Sequence, residues 1–322
     1  MSVQLYVATG GMSTWYSDDL GQTLARHWST SGLYSESRVW ALSAHPDVPG
    51  EVLAGTDSGI YSLDRATNKW THIPSILDQV HTWALARVSD NPDIIYAGTS
   101  PAEIYRSQDR GRSWTPLNVG FAERCAQVVI PRVTQVLVDP QDSNAIWATV
   151  EIDGIWRSLD GGKTWSKHVT GAISDDGHGV ALVRKNGKRI LFLSTNKGLN
   201  VSHDDGETWQ FRPMAKPWQF LRAVTPRADN SGVMFLTIGD SVPGSTGSLM
   251  RSRNYGESWE DAGLPGEMMS TPWCIATNPV DPNLIFVATC FGKYFRSTDG
   301  GESWSKLPRE LGETRSLLWL PN

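Results

Sequence analysis

SLDGGKTW (158–165), SHDDGETW (202–209) and STDGGESW (297–304) spell one signature, Ser-x-Asp-x-Gly-x-x-Trp. SQDRGRSW (107–114) matches it in full, and SRNYGESW (252–259) carries Asn254 in the Asp position. SDDLGQTL (17–24) ends on Leu24, and SLDRATNKW (62–70) keeps Ser62, Asp64 and Trp70 but has no glycine. Together the seven copies recur at intervals of 44 to 51 residues. A period of that length marks a repeat architecture, in which each unit buries its faces against its neighbours. It overrides the two-domain expectation for 322 residues and predicts a single domain over 1–322.

Outward from 158–165, the unit reads as four short strands. VTQVLVDP (133–140) is an apolar strand ending in a Pro turn, and NAIWATV (144–150) is a second. IWRS (155–158) leads into the signature and WSKHV (165–169) leaves it. Four strands per period, with turn residues between them, make one blade of a β-propeller. Second strands repeat as EVLAGT, DIIYAGT, RILFLST, VMFLTI and LIFVAT, and QLYVATG opens the chain. The predicted fold is all-β, a single seven-bladed β-propeller of four-stranded antiparallel blades. Its blades span 38–73, 81–118, 132–170, 178–213, 222–263 and 271–308, with a composite of 314–322 and 1–30. TRSLLWLP (314–321) reads as a first strand and LYVATG (5–10) as a second. The C-terminus is therefore expected to complete the N-terminal blade and remove the open edges of the ring.

These boxes resemble the Asp-box (BNR) repeat of sialidases, sortilin-type receptors, xyloglucanases and photosystem II assembly factors. The resemblance covers nearly the whole chain. It implies that Asp and Ser bond turn amides, that Gly supplies a positive-φ position, and that Trp packs between blades. On that reading the box is a structural staple. Arg106, Arg157, Arg251 and Arg296, each just before a box serine, are structural for the same reason. The pattern departs from sialidases, which normally have six blades, an arginine triad and a Tyr–Glu pair. It departs from xyloglucanases too, which use two propellers with paired carboxylates across a cleft.

Composition narrows the field. A net charge of −5 argues against a nucleic-acid partner held by phosphate contacts. No stretch approaches the roughly 18 apolar residues of a membrane span, and no membrane partner is expected. Cys125, Cys274 and Cys290 have unrelated spacings and indicate neither a disulfide framework nor a zinc site. No metal and no cofactor are indicated. MSVQLYVATGG shows no basic segment followed by a long apolar run, so a cytoplasmic protein is the expectation.

In a propeller the first strands line the channel, and ligands usually bind at the mouth opposite the boxes. First-strand entrances carry Arg38, His81, Arg132, His178, Arg222, Thr271 and Arg315, with Trp40, Trp83, Thr134, Val180 and Trp273 two positions inward. Arg38, Arg132, Arg222 and Arg315, with Arg124 of the long loop 114–132, are candidate contacts to an anion. Trp40, Trp83 and Trp273 are candidate stacking platforms. His81 and His178, with Glu151 and Glu123, are candidate acids or bases near neutral pH. The set suits hydrolysis or elimination on an acidic, sugar-like or aromatic small molecule in the central channel. The competing expectation is a non-catalytic scaffold that grips a protein partner on its ring face.

Overall fold

The computed structural model describes residues 2–125 and 128–322. Seven four-stranded antiparallel sheets form a ring, each running from an innermost strand at the axis to an outer one. The blades are 39–73 (first), 81–117 (second), 133–167 (third), 177–212 (fourth), 220–261 (fifth) and 272–306 (sixth). In the seventh, Thr314–Pro321 is the innermost strand, followed outward by Val3–Thr9, Thr14–Ser17 and Ala25–Arg26. The ring therefore closes within one blade, as the phase of the boxes predicts. Leu5 pairs with Trp319 and Val7 with Leu317, and the Asn322 amide donates to the Ser2 carbonyl at 3.1 Å.

Each box is a turn between third and fourth strands, built from its own side chains. In 158–165 the Gly162 amide donates to Ser158 Oγ at 2.9 Å, and the Ser158 hydroxyl donates to Asp160. The Thr164 amide and hydroxyl donate to the two oxygens of Asp160 at 2.9 and 2.6 Å. Two consecutive residues take positive φ. The first, near +60°, accepts Leu20, Arg110, Asp205 and Tyr255, whereas the second, at +79 to +88°, is always glycine in the six complete turns. That difference explains why only one glycine of the signature is obligatory. Asn254 substitutes faithfully, its Oδ1 accepting from the Ser258 amide at 3.0 Å. The segment 62–70 is an ordinary hairpin instead, with Asp64 opposite Lys69 and Asn68 at φ +55°. Asn68 Oδ1 then reaches His27 Nε2 of the seventh blade at 2.8 Å.

Hydrogen bonds from Thr164 hold the Asp160 carboxyl down to about 2. For Asp204 and Asp299 burial is the largest single influence and works upward, but the bonds from Thr208 and Ser202, and from Ser303 and Ser297, together outweigh it and bring both to about 2 as well. A folded-state value below the unfolded one stabilises above the ordinary Asp range and is lost as pH falls through the folded value. The melting temperature is therefore expected to fall between about pH 4 and pH 2. Asp160→Ala is expected to melt below wild type at pH 7 and to converge with it near pH 2; a constant gap in thermal scans across that range overturns the assignment.

Blades pack through apolar clusters such as Trp147, Leu191 and Trp209 between the third and fourth. Three of the four arginines before box serines clamp the next blade. Arg157 donates to the Asp205 carbonyl at 3.1 Å, Arg251 to that of Gly301, and Arg296 to that of Leu20 at 3.0 Å. These contacts lie at the box end of the ring.

One irregularity recurs in every innermost strand. Trp40 is the extra residue between the pairs Val39–Thr56 and Ala41–Gly55. Trp83, Thr134, His178, Arg222, Trp273 and Arg315 hold the same place in the other blades, each beside a register shift against the second strand. A β-bulge bends the strand and re-aims one side chain. Here seven bulges send seven side chains to the axis at one depth.

Candidate functional site

Those seven side chains form a throat. On the mouth side lies a cavity of about 120 Å³, bordered by Trp83, Arg132, Glu151, His178, Phe220, Val242 and Trp273. On the box side lies a wider channel of about 270 Å³ walled by deeper residues such as Leu42, Gln135, Val224 and Cys274. Thr134, His178, Arg222 and Arg315 border both spaces.

Cations and aromatic rings alternate across the throat. Trp40 and Trp83 stack at 4.2 Å between centroids and 11° between planes. Arg132 lies 4.4 Å from the centre of Trp83, and Arg222 lies 4.6 Å from that of Trp273. Arg315 lies 4.9 Å from Trp40 and 5.6 Å from both Trp83 and Trp273, inside a cage of three indoles. Cation–π contacts of this kind contribute about 0.5–2 kcal/mol each, more when desolvated. Burial is the main force holding the Arg315 guanidinium down to about 10, and the neighbouring Arg222 and Arg132 add to it. Burial lowers Arg222 as well, against the opposing pull of Glu151. The same burial pushes the Cys274 thiol up to about 12 despite both arginines, which makes it a poor nucleophile.

Carboxylates answer some of this charge. Glu151 takes Arg132 in a two-pronged ion pair, with Nη2 to Oε1 at 2.8 Å, and Glu313 pairs with Arg315. His178 Nδ1 donates to the Leu221 carbonyl at 2.6 Å, leaving Nε2 facing Asp176 Oδ2 at 3.4 Å. That second contact is longer than a good hydrogen bond, so Nε2 is the freer nitrogen. The other oxygen of Asp176 is buried with no partner among the described residues.

Of the candidates, His178, Glu151, Arg132, Arg222, Arg315, Trp40, Trp83 and Trp273 lie around the throat. The sequence alignment set His178, Arg222 and Arg315 one tier above the tryptophans; the bulges put all of them at one depth. Val180, aligned with the tryptophans, instead pairs with Leu193 and is buried between the third and fourth blades. His81 is exposed and stacks at 6.3 Å on the outer side of Trp40. Arg38 is exposed, its backbone bridged to Gly10. Glu123 and Arg124 are exposed too, and Glu123 borders a groove of the second blade away from the axis. Asp176, Phe220 and Val242 went unrecognised. Asp176 and Val242 lie in loops that no repeat pattern covers, though the two-residue spacing of Asp176 and His178 was a legible signal.

The BNR/Asp-box repeat family matches residues 156–167 and 295–306. The chain is 26% identical over 317 residues to a xyloglucanase of Hypocrea jecorina (strain QM6a), over 82% of this chain and 38% of that enzyme. A GH74 enzyme of Niastella koreensis superposes with a TM-score of 0.65 at 20% identity, over 83% of this chain and 45% of that one. YCF48 from Cyanidioschyzon merolae superposes with a TM-score of 0.57 at 15% identity, over 84% and 85%. The chain thus spans less than half the length of the two enzymes. These matches correct the cytoplasmic expectation, because xyloglucanases are typically secreted extracellular enzymes. That expectation leaned on the pattern of MSVQLYVATGG alone. The chain is a seven-bladed β-propeller built from BNR/Asp-box repeats.

Proposed function

We propose that the protein is a hydrolase acting on a small, acidic, ring-bearing molecule at the axial mouth. The observation that carries this reading is the convergence of Arg132, His178, Arg222 and Arg315 with Trp83 and Trp273 on one cavity. Its volume of about 120 Å³ is of the order that encloses one benzene-sized ring, about 150 Å³. That suits a single sugar or aromatic ring better than a polysaccharide backbone. His178 exchanges the proton through Nε2, the side that Asp176 faces, while the Leu221 carbonyl positions the ring through Nδ1. Glu151 keeps Arg132 in place over Trp83, where the guanidinium faces an incoming acid. Elimination next to the acid group would use the same histidine as base. The xyloglucanase relatives support hydrolysis as the reaction class.

A second reading, a scaffold for a protein partner on the ring face, is favoured by exposed apolar side chains at the mouth end. Tyr34, Ile173 and Met269 lie in loops entering first strands, and Val242 and Phe291 in turns after second strands. One assay separates the two. Wild type is expected to release nitrophenol from 4-nitrophenyl glucuronide, which combines a sugar, a carboxylate and an aromatic group. His178→Ala is expected to lower kcat by roughly 10²–10⁴, and Arg132→Ala to act mainly on KM. Elimination would appear instead as new ultraviolet absorbance from an unsaturated acid. No product from this or related aryl glycosides, or wild-type rates in both variants, would favour the scaffold.

A further inference from the structure

The throat holds more hydrogen-bond donors than the protein satisfies. Arg222 has five N–H donors, and its hydrogen bond is a single long one, from Nη1 to the His178 carbonyl at 3.4 Å. Among the described residues, no carboxylate oxygen comes within ion-pair distance of it. Arg315 gives Nη2 to Glu313, but its Nε is buried and unpartnered. The indole Nε1 of Trp40, a residue 9% exposed, is buried without an acceptor, and so is that of Trp83. Four side chains at one depth thus offer donors; Glu151 and Glu313 are engaged by Arg132 and Arg315, and Asp176, which keeps one oxygen unpartnered beside His178, lies beyond ion-pair distance of Arg222.

Unsatisfied buried donors cost about 1–3 kcal/mol each, more when charged, and they persist in folded proteins for a reason. Packing does not supply one here. The tryptophans could stack on uncharged neighbours, and a cation beside two others raises the electrostatic energy of the throat. What the arrangement lacks is an acceptor with several lone pairs and negative charge. Two guanidinium groups and an indole N–H set around a gap match a carboxylate or phosphate group, which accepts along several directions at once.

We propose that the throat is an oxyanion seat, in which Arg222 and Arg315, with the Nε1–H of Trp40, bind the acid group of a small ligand. The ring of that ligand then lies on the mouth side, against Trp83 and Phe220. The proposal rests on the axial mouth being the ligand site and adds which part of the ligand goes deepest. Shared acid chemistry is what the seat reads; carboxylate and phosphate differ in size and charge, and the test has an arm for each.

Thermal unfolding in Bis-Tris chloride at constant ionic strength, titrated with inorganic phosphate or with benzoate, is the experiment. Anion binding to the folded state alone raises Tm with concentration. At least one of the two anions is expected to raise the wild-type Tm with half-saturation at millimolar concentration or below. Arg222→Met is expected to lose the shift, and Trp40→Phe, which keeps a ring but no donor, to weaken it roughly tenfold. Should Arg222→Met not fold, Arg222→Lys keeps the charge without the fork and is expected to need at least about ten times more anion. An absent shift with both anions, or an equal shift in the Arg222 variants, overturns the seat. The readout needs no turnover. A protein that responds to anions and hydrolyses nothing loses the hydrolase reading only; one that turns over 4-nitrophenyl glucuronide with no anion response loses the seat only.

Discussion

Removal of residues 314–322 is expected to abolish cooperative folding, leaving a chain that is insoluble or melts without a transition. Thr314–Pro321 is the whole innermost strand of the seventh blade, paired with Val3–Thr9 along seven positions. Without it, Leu5 and Val7, both fully buried, face an open edge. The deletion also removes Trp319 and Leu317 from the core cluster shared with the sixth blade. Loss of a buried Trp costs about 3–5 kcal/mol and of a buried Leu about 2–5. Set against a total stability of about 5–15 kcal/mol, those two side chains alone reach the lower range. Both neighbouring blades hold the strand as well: Asn278 Nδ2 donates to the Trp319 carbonyl at 3.0 Å, and Arg65 to that of Pro321 at 2.8 Å. Circular dichroism melts and soluble yield test the expectation. A truncated chain that melts like wild type would show that six blades and an open edge suffice.

Asp139→Ala is expected to cost about 3–5 kcal/mol, as much as the loss of a buried tryptophan. Asp139 ends the innermost strand of the third blade and is 1% exposed. It takes Arg184 and Arg189 of the fourth blade, the latter at 2.6 Å, and caps the Gln141 amide at 2.9 Å. Arg189 continues to Asp142 at 2.7 Å, so one buried carboxylate organises a network across the blade boundary. Removing it strands Arg184, whose Nε already lacks a partner, and leaves Arg189 to Asp142 and Asp205. Burial pushes the Asp139 carboxyl up, but the Gln141 amide and the two arginines outweigh it and leave it below the ordinary range. Its contribution is therefore complete at neutral pH and fades as pH falls through that lowered value. Replacing Asp139, Arg184 and Arg189 together by methionine is expected to recover most of the loss, because no charge is then left unpaired. Urea midpoints measure both; a loss below about 1 kcal/mol for the single variant would mean that water replaces the carboxylate.

The fold was legible because the box is periodic and its turn is local. Once Ser158, Asp160 and Gly162 define a hairpin, every strand is placed by counting, and the blade limits agree with the structure to within about three residues. The axial site was legible in composition but not in depth. A bulge adds one residue to a strand, and one residue reverses which face every later side chain takes. The bulge recurs in every blade, but the loops that lead into the first strands differ in length, so counting along them set His178, Arg222 and Arg315 apart from tryptophans they touch or adjoin. The loops were less legible still. Length drew attention to 114–132, yet Glu123 and Arg124 turn to solvent, while Asp176 in a shorter segment lies against His178. The degenerate box 62–70 shows the converse: losing its glycine changed the turn, and Asn68 gained a contact to the closing blade.

The sevenfold bulge carries a last consequence. Each blade contributes one side chain to the throat through a backbone device that does not depend on which side chain it is, since Trp, Thr, His and Arg all occupy it. The throat is thus a set of seven tumblers in a common barrel, several of them in contact with one another. Its lining can be rewritten at these positions while the blade cores, boxes and closing strand stay untouched. Thr134 is the smallest tumbler, and the space beside it is where a new specificity is most easily cut.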